Sequence, residues 1–338
     1  MTSFARVFDS LPVAGLVRHH PEDFVVDEVL GFSLGGEGEH VWLQVQKCGV
    51  NTQEVAREIA RRVGVPVREV GYSGLKDRNA VATQWFSVQI SELKEPDWDA
   101  VNSNALRILQ SVRHHRKLRR GTHRQNRFRI VIRDVHEPAS DLLERLEQIR
   151  RLGVPNYFGP QRFGHDGNNL RGADRLFAGS FQPKRMKRGL YLSAARSWMF
   201  NQVLSERVVN GSWNRLLPGD MAMLDGTRSV FQVSVVDAKL MERVESGDVH
   251  PTGPLAGRGA STVGDQVETL ETGVLAEFQD WCEGLVRAGL RYERRTLRLW
   301  VPDLTWSASA PDAWTLEFTL PQGQFATAVL RECGSFAE

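Results

Sequence analysis

Cysteine is scarce: Cys48, Cys282 and Cys333 are the three in 338 residues. An odd number at wide spacing excludes a disulfide framework and any CxxC-type zinc or redox site. No window approaches the ~18 uninterrupted apolar residues of a membrane span. Arg18 interrupts the apolar N-terminal stretch before it could act as a signal core, so a cytoplasmic protein without membrane attachment is expected. The phosphate-cradling patterns GxxxxGK[ST] and GxGxxG after a strand do not occur, nor do HExxH or a GxSxG elbow. Nucleotide-driven, zinc-protease and α/β-hydrolase chemistries lose their usual signatures, and no nucleotide cofactor is expected. Two of the histidine pairs are adjacent, His19 with His20 and His114 with His115. Sequence neighbours rarely share a metal, so none is expected.

What is present fits a folded chain of about two domains. Apolar residues make up 41% and charged residues 25%, and the net charge is only +2. DFVVDEVLGF (23 to 32) and HVWLQVQK (40 to 47) read as strands joined by the GGEGE turn, the second with Val41, Leu43 and Val45 on one face. Asn51 followed by Glu54 has the form of a capping box, and Val55, Ile59 and Val63 recur at helical spacing up to Gly64. GYSGLKDRNA (71 to 80) reads as a strand end running into a loop, which sets Asp77 between strands, and Phe86, Val88 and Ile90 alternate beyond it. NRFRIVIR (126 to 133) puts Phe128, Ile130 and Ile132 on one face and Arg127, Arg129, Val131 and Arg133 on the other. Leu142, Leu146, Ile149 and Leu152 mark a helix opened by Pro138 and closed by Gly153. Further helices are expected over 193 to 209 and 274 to 288, a strand through Phe231, Val233 and Val235, and an exposed loop at PTGPLAGRGASTVGD (251 to 265). From Arg294 strands return, including Trp314, Leu316, Phe318 and Leu320, before a short helix from about Gln324. This irregular mixture favours an α+β fold with mixed or antiparallel sheets.

Residues 107 to 133 hold ten Lys or Arg, three His and no acidic residue, and PKRMKRG (183 to 189) adds four positive charges in five residues. The bland reading is a basic surface. Solvated faces normally mix signs, however, so the better reading is a phosphate-tracking surface that includes Arg116, Lys117, Arg119 and Arg120. Asp77, flanked by Lys76 and Arg78, is either a salt-bridged turn residue or a carboxylate kept ionised by adjacent cations, able to act as a nucleophile. A noncatalytic RNA-binding module, and a ribonuclease using His114 or His115 as acid and base, remain open on these features.

Seven segments in order carry a resemblance: HPEDFVVDE (20 to 28), GEGEHVWLQVQKCGVNT (36 to 52), GLKDRNAVATQW (74 to 85), HRKLRRG (115 to 121), NRF (126 to 128), VPNYFGPQRFG (154 to 164) and LPQGQFATAVLRE (320 to 332). Together the chain resembles the TruD family of tRNA pseudouridine synthases. The resemblance implies a pseudouridine synthase catalytic domain built on a mixed sheet, in two parts (1 to 152 and 301 to 338), around an inserted α/β domain over 153 to 300. It also implies a cofactor-independent isomerase, active as a monomer on tRNA, converting uridine 13 of the D-stem region. The family's catalytic Asp falls on Asp77, and its uridine-contacting residues fall on Phe24, Asn126 and Phe325. Arg18, Lys76 and Phe128 would support them, Arg18 standing where the family has Lys.

Overall fold

A computed structural model of the chain describes residues 4–8, 13–90, 96–135, 139–259 and 261–337. The expected role of Pro138 in opening a helix falls outside them. The chain forms two compact units, one of 12–141, 303–323 and 334–338, the other of 1–11, 142–302 and 324–333. This division differs from the expected boundaries in three main places: the N-terminal segment that includes residues 4–8, the chain from Leu142, and Gln324–Cys333 all cluster with the middle of the chain.

The first unit opens with β1 (Ala14–Val17), β2 (Phe24–Val29) and β3 (His40–Lys47), then α1 (Thr52–Val63). The capping box at Asn51 and Glu54 is formed, with the Asn51 N–H donating to Glu54 Oε2 at 2.6 Å. Gly64 ends α1 at φ 77°, the left-handed cap that glycine adopts at low cost. After α1 come β4 (Gly71–Tyr72), β5 (Val81–Gln89), β6 (Leu106–His114) and β7 (Gln125–Arg133).

The chain crosses to the second unit through α2 (Ala139–Leu152) and continues with β8 (Val154–Pro155), α3 (Asn168–Phe177), α4 (Arg185–Val209), β9 (Met221–Leu224) and β10 (Val230–Gln232). There follow α5 (Ala238–Glu245), β11 (Val249–Leu255), α6 (Asp265–Ala276), α7 (Gln279–Arg287), β12 (Glu293–Thr296) and β13 (Arg298–Leu299). β14 (Thr305–Ala310), β15 (Ala313–Pro321) and β16 (Ser335–Ala337) return to the first unit, with α8 (Ala326–Cys333) belonging to the second.

The first unit is one mixed sheet in the order β14-β15-β7-β2-β5-β3-β6, with β1 bridging β7 and β16, and β4 on β5. β2 and β5 run parallel, and β7 is antiparallel to both β2 and β15. Val41, Leu43 and Val45 pack with Phe86 and Val88 against Val55 and Ile59 of α1. On the opposite face of β3 and β5, Trp42 and Trp85 pack with Leu118. Both faces of the sheet centre are therefore covered.

The second unit is built on α4 and a four-stranded sheet in the order β10-β9-β11-β12, with β8 and β13 paired separately. Four sequence expectations are corrected here. The stretch from Pro251 is not an exposed loop at its start: VHPTGPL is strand β11, buried almost throughout and paired with β9 and β12. Gly253 is needed there, since a Cβ would lie 2.8 Å from Leu297 and 3.1 Å from Phe200. The helix expected over 274 to 288 is two helices broken at Phe278, whose φ of −119° is not helical. Leu275, Phe278, Cys282 and Leu285 nevertheless face one apolar cluster, so their spacing stays regular across the break. α4 begins at Arg185 and takes in most of the second basic cluster, and the strand through Phe231 stops at Gln232.

Candidate active site

β2 starts next to β5, with Val25 opposite Val81, and the loop before β5 carries Asp77. Neither cation flanking Asp77 in sequence turns toward its carboxylate. Lys76 Nζ lies 2.7 Å from Glu28 Oε1 and donates to Asn126 Oδ1 at 2.9 Å. Arg78 Nε donates to the Gly49 carbonyl at 2.7 Å. Instead Arg18 reaches across, its Nη2 3.3 Å from Asp77 Oδ2. The Arg18 guanidinium lies 4.3 Å from the centre of the Phe24 ring, a cation–π contact that orients it. Arg18 holds φ 59°, the left-handed region that a non-glycine residue occupies only under constraint. The Asp77 side chain is 38% exposed, so a partner from solution can reach it.

The loop is fixed from beneath. Lys47, the last residue of β3 and almost wholly buried, donates to the Asp77 carbonyl at 2.7 Å and to the Val50 carbonyl at 3.0 Å. Burial lowers its ammonium from 10.5 to about 8, against the nearby Asp77 carboxylate, which favours the charged form. The Lys76 N–H donates to Thr52 Oγ1 at 3.0 Å, and Thr52 donates to Gln84 Oε1 at 2.7 Å, which ties the loop to the start of α1 and to β5. Glu28, buried opposite Asn126 in the β2–β7 ladder, also accepts from the Trp85 N–H at 3.0 Å. His123 lies beside it, held by Ser73 and with burial lowering its pKa, which favours a neutral ring.

The expected support residues therefore converge in one unit: Arg18, Phe24, Lys76, Asp77, Asn126 and Phe128. Phe24 is only 3% exposed, packed edge-to-face on Phe128, which stacks in turn on Phe318. Asp23, just before Phe24, is buried in a two-bond pair with Arg133 (2.7 and 2.8 Å), whose hydrogen bonds hold its carboxyl below the usual range. Phe325 belongs to the other unit, where its ring packs 6.0 Å from that of Phe158.

Glu28 and Lys47 escaped the sequence-based expectations, although a signal was present. Phe24, Val26 and Glu28 occupy alternate positions of one strand, as do Val41, Leu43, Val45 and Lys47 of another. A charged residue in step with an apolar face must be buried, and a buried charge needs a partner.

The basic segment splits in space. Arg116, Arg119 and Arg120 are exposed, whereas Lys117 donates to Glu69 Oε2 at 3.2 Å and to the Arg68 carbonyl at 2.9 Å. On β7, Arg127 stands opposite Asp27 and Arg129 opposite Glu317, so neighbouring strands return acidic residues to that face. The His114 ring packs on Trp42, with ring centres 5.1 Å apart, and lies 3.3 Å from the Gly35 N–H as its acceptor.

The family model for tRNA pseudouridine synthase D (TruD) matches residues 4–182 and 170–333. A tRNA pseudouridine synthase D of Methylococcus capsulatus is 48% identical over 340 residues, covering 97% of this chain and 95% of the relative. One of Nitrosococcus oceani is 49% identical over 320 residues, covering 94% and 89%. The crystal structure of a putative tRNA pseudouridine synthase D from Methanosarcina mazei superposes with a TM-score of 0.73 over 97% of this chain and 95% of that one, at 21% identity, and so shares the fold. By family model and by near-full-length identity, the chain belongs to the TruD family of tRNA pseudouridine synthases.

Proposed function

We propose that this chain isomerises uridine to pseudouridine in tRNA at uridine 13 of the D-stem region, with Asp77 as the catalytic residue. The observation that carries the assignment to Asp77 is its setting: a half-exposed carboxylate against Arg18, on a loop anchored through the Asp77 carbonyl by buried Lys47.

The glycosidic bond from C1′ to N1 breaks, uracil turns, and C5 bonds to C1′, with the C5 proton released and N1 protonated. The atom count of the nucleotide is unchanged. As uracil departs, positive charge develops on the ribose, and the Asp77 carboxylate meets it either as nucleophile at C1′ or as base at C2′. Arg18 orients that carboxylate until substrate arrives. Arginine in place of the family's lysine retains the charge and adds a planar face that lies on Phe24.

Extruding a stacked uridine costs a few kcal/mol, and aromatic stacking, at roughly 1 to 3 kcal/mol per base, is of the size to offset it. Phe24 and Asn126 are the uridine contacts we propose, with Lys76 fixing the Asn126 amide by holding its oxygen. Arg116, Arg119 and Arg120 would supply phosphate contacts, with Lys117 contributing less because Glu69 engages it. We also propose that residues 153 to 300 are the family's inserted domain and that the protein works in the cytoplasm as a monomer.

The test is incubation of the protein with tRNA carrying tritium at uridine C5. Tritium release from intact RNA, lost when uridine 13 is replaced by cytidine, is the expected result. Shortened RNA would assign a nuclease, and binding without release would leave an RNA-binding module.

A further inference from the structure

The second unit contains buried and partly buried arginines in three settings. Arg207 is locked to Asp220 by two 2.9 Å bonds, and Arg294 to Glu271 by bonds of 2.6 and 2.7 Å. These are sealed ion pairs. Arg298 has a different but equally structural use, donating to the Leu152 and Val244 carbonyls near the ends of two helices. Arg162 fits neither pattern. Arg162 Nη1 donates to the neutral Ser193 Oγ at 3.0 Å, and Arg295 Nη2 donates to the neutral Asn156 Oδ1 at 2.6 Å.

Both belong to one aromatic cluster. The Arg162 guanidinium lies 5.4 Å from the Phe158 ring centre and 5.8 Å from that of Phe325, while Arg295 lies 4.2 Å from Phe158. Burial lowers the pKa of each, and Arg162 lowers that of Arg295 further, to about 9. Two like charges in a low-dielectric setting repel, and an anion brought to them relieves both the repulsion and part of the burial cost.

The local backbone is built to hold this arrangement. Asn201 accepts from the Phe158 N–H and donates to the Phe158 carbonyl, each at 2.9 Å, so Phe158 cannot shift. Arg162 sits in the short 3-10 turn Pro160–Phe163, closed by Gly164 at φ 76°. A Cβ on Gly159 would lie 2.9 Å from Thr327 Oγ1, so that glycine allows the turn to pack on α8, just after Phe325. The segment VPNYFGPQRFG, given no role by the Asp77 chemistry, thus shapes a cationic and aromatic site.

Resting on the tRNA reading above, we propose that Arg162 is a phosphate-binding residue for the tRNA backbone, held beside the Phe158 and Phe325 rings with Arg295 on the same Phe158 ring as a second positive charge. A planar guanidinium takes a phosphate through two parallel N–H donors.

The full-length chain tests this with a tRNA assembled from synthetic halves carrying one neutral methylphosphonate at a time around the reacting uridine. For the wild type, one position should weaken binding by roughly tenfold, the worth of one charge-assisted hydrogen bond. In Arg162→Gln that same substitution should cost nothing, and the salt dependence of binding should fall by about 0.7 to 0.9 in slope. Arg162→Met, which keeps an apolar stem beside the rings, repeats the measurement if the glutamine variant is unstable. If every methylphosphonate costs wild type and variant equally, the phosphate role of Arg162 is wrong. Absence of tritium release by the wild type would instead overturn the tRNA reading itself, so the two failures are separable.

Discussion

Two aspartate–arginine pairs, one in each unit, show how the same chemistry serves different ends. Asp220 and Arg207 are 0% and 1% exposed, joined by two bonds of 2.9 Å, and Asp220 also accepts from the Leu217 N–H at 2.8 Å. Asp77 and Arg18 meet at 3.3 Å with the carboxylate 38% exposed. The first pair is closed to any newcomer. In the second, order is supplied from elsewhere, through the Asp77 carbonyl on Lys47 and the cation–π contact of Arg18 with Phe24, which leaves the carboxylate within reach of substrate. The group proposed to react is thus positioned by its backbone and its partner's partner, and a structural group by direct saturation.

Breaking a sealed pair should be the largest effect on stability. Asp220→Ala strands a buried guanidinium and should cost about 3 to 5 kcal/mol in urea unfolding, with normal activity per folded molecule. Lys76→Met is the matched test in the other unit. It strands Glu28 and releases the Asn126 amide, so it should cost about 3 kcal/mol and also lower single-turnover rate more than tenfold. Equal loss of activity per folded molecule in both variants would erase the distinction between a buried pair that serves only the fold and one that also holds the proposed site.

How much of this was legible in the sequence depends on the kind of signal. The Asp77 loop, the capped helix after Asn51 and the alternation of β3 and β7 are local patterns, and the structure has all of them. Strand β11 reads as a loop because Pro251, Gly253 and Pro254 are loop residues by propensity, and only the cross-strand partners Ala222, Arg295 and Arg294 make them a strand. The same limit applies to charge. The unbroken basic run of 107 to 133 meets Asp27 and Glu317 across the sheet, residues distant in sequence that only register brings alongside. Glu28 and Lys47 could have been found, since each continues an apolar alternation with a charge.

Lys47 sharpens the comparison through pH. Its folded pKa of about 8 lies below the 10.5 of the free side chain, so the unfolded chain holds the proton more tightly between those values. Stability from this group therefore rises with pH across that window, while activity should fall as the cation under Asp77 is lost. The wild-type single-turnover rate should decline above pH of about 8, approaching tenfold per unit, and Lys47→Met should lack that limb. A wild-type profile flat to about pH 9.5 would mean that the charge on Lys47 has no part in holding Asp77 ready.

The smallest effect concerns exposed cations. Neutralising Arg116, Arg119 and Arg120 together should flatten the salt dependence of tRNA binding by about 0.7 to 0.9 for each phosphate they neutralise, with the melting temperature unchanged. Neutralising Lys117 alone should change the slope less, because its ammonium is already engaged by Glu69.

The most direct measurement is tritium release by Asp77→Asn beside its affinity for tRNA and its thermal unfolding. The amide is nearly isosteric with the carboxylate but carries no anionic oxygen. The account predicts a single-turnover rate at least about a thousandfold below wild type, equivalent to roughly 4 kcal/mol of barrier, with tRNA affinity and melting temperature essentially retained. Turnover within tenfold of wild type by a folded, tRNA-binding Asp77→Asn protein would contradict it and remove Asp77 from the reaction.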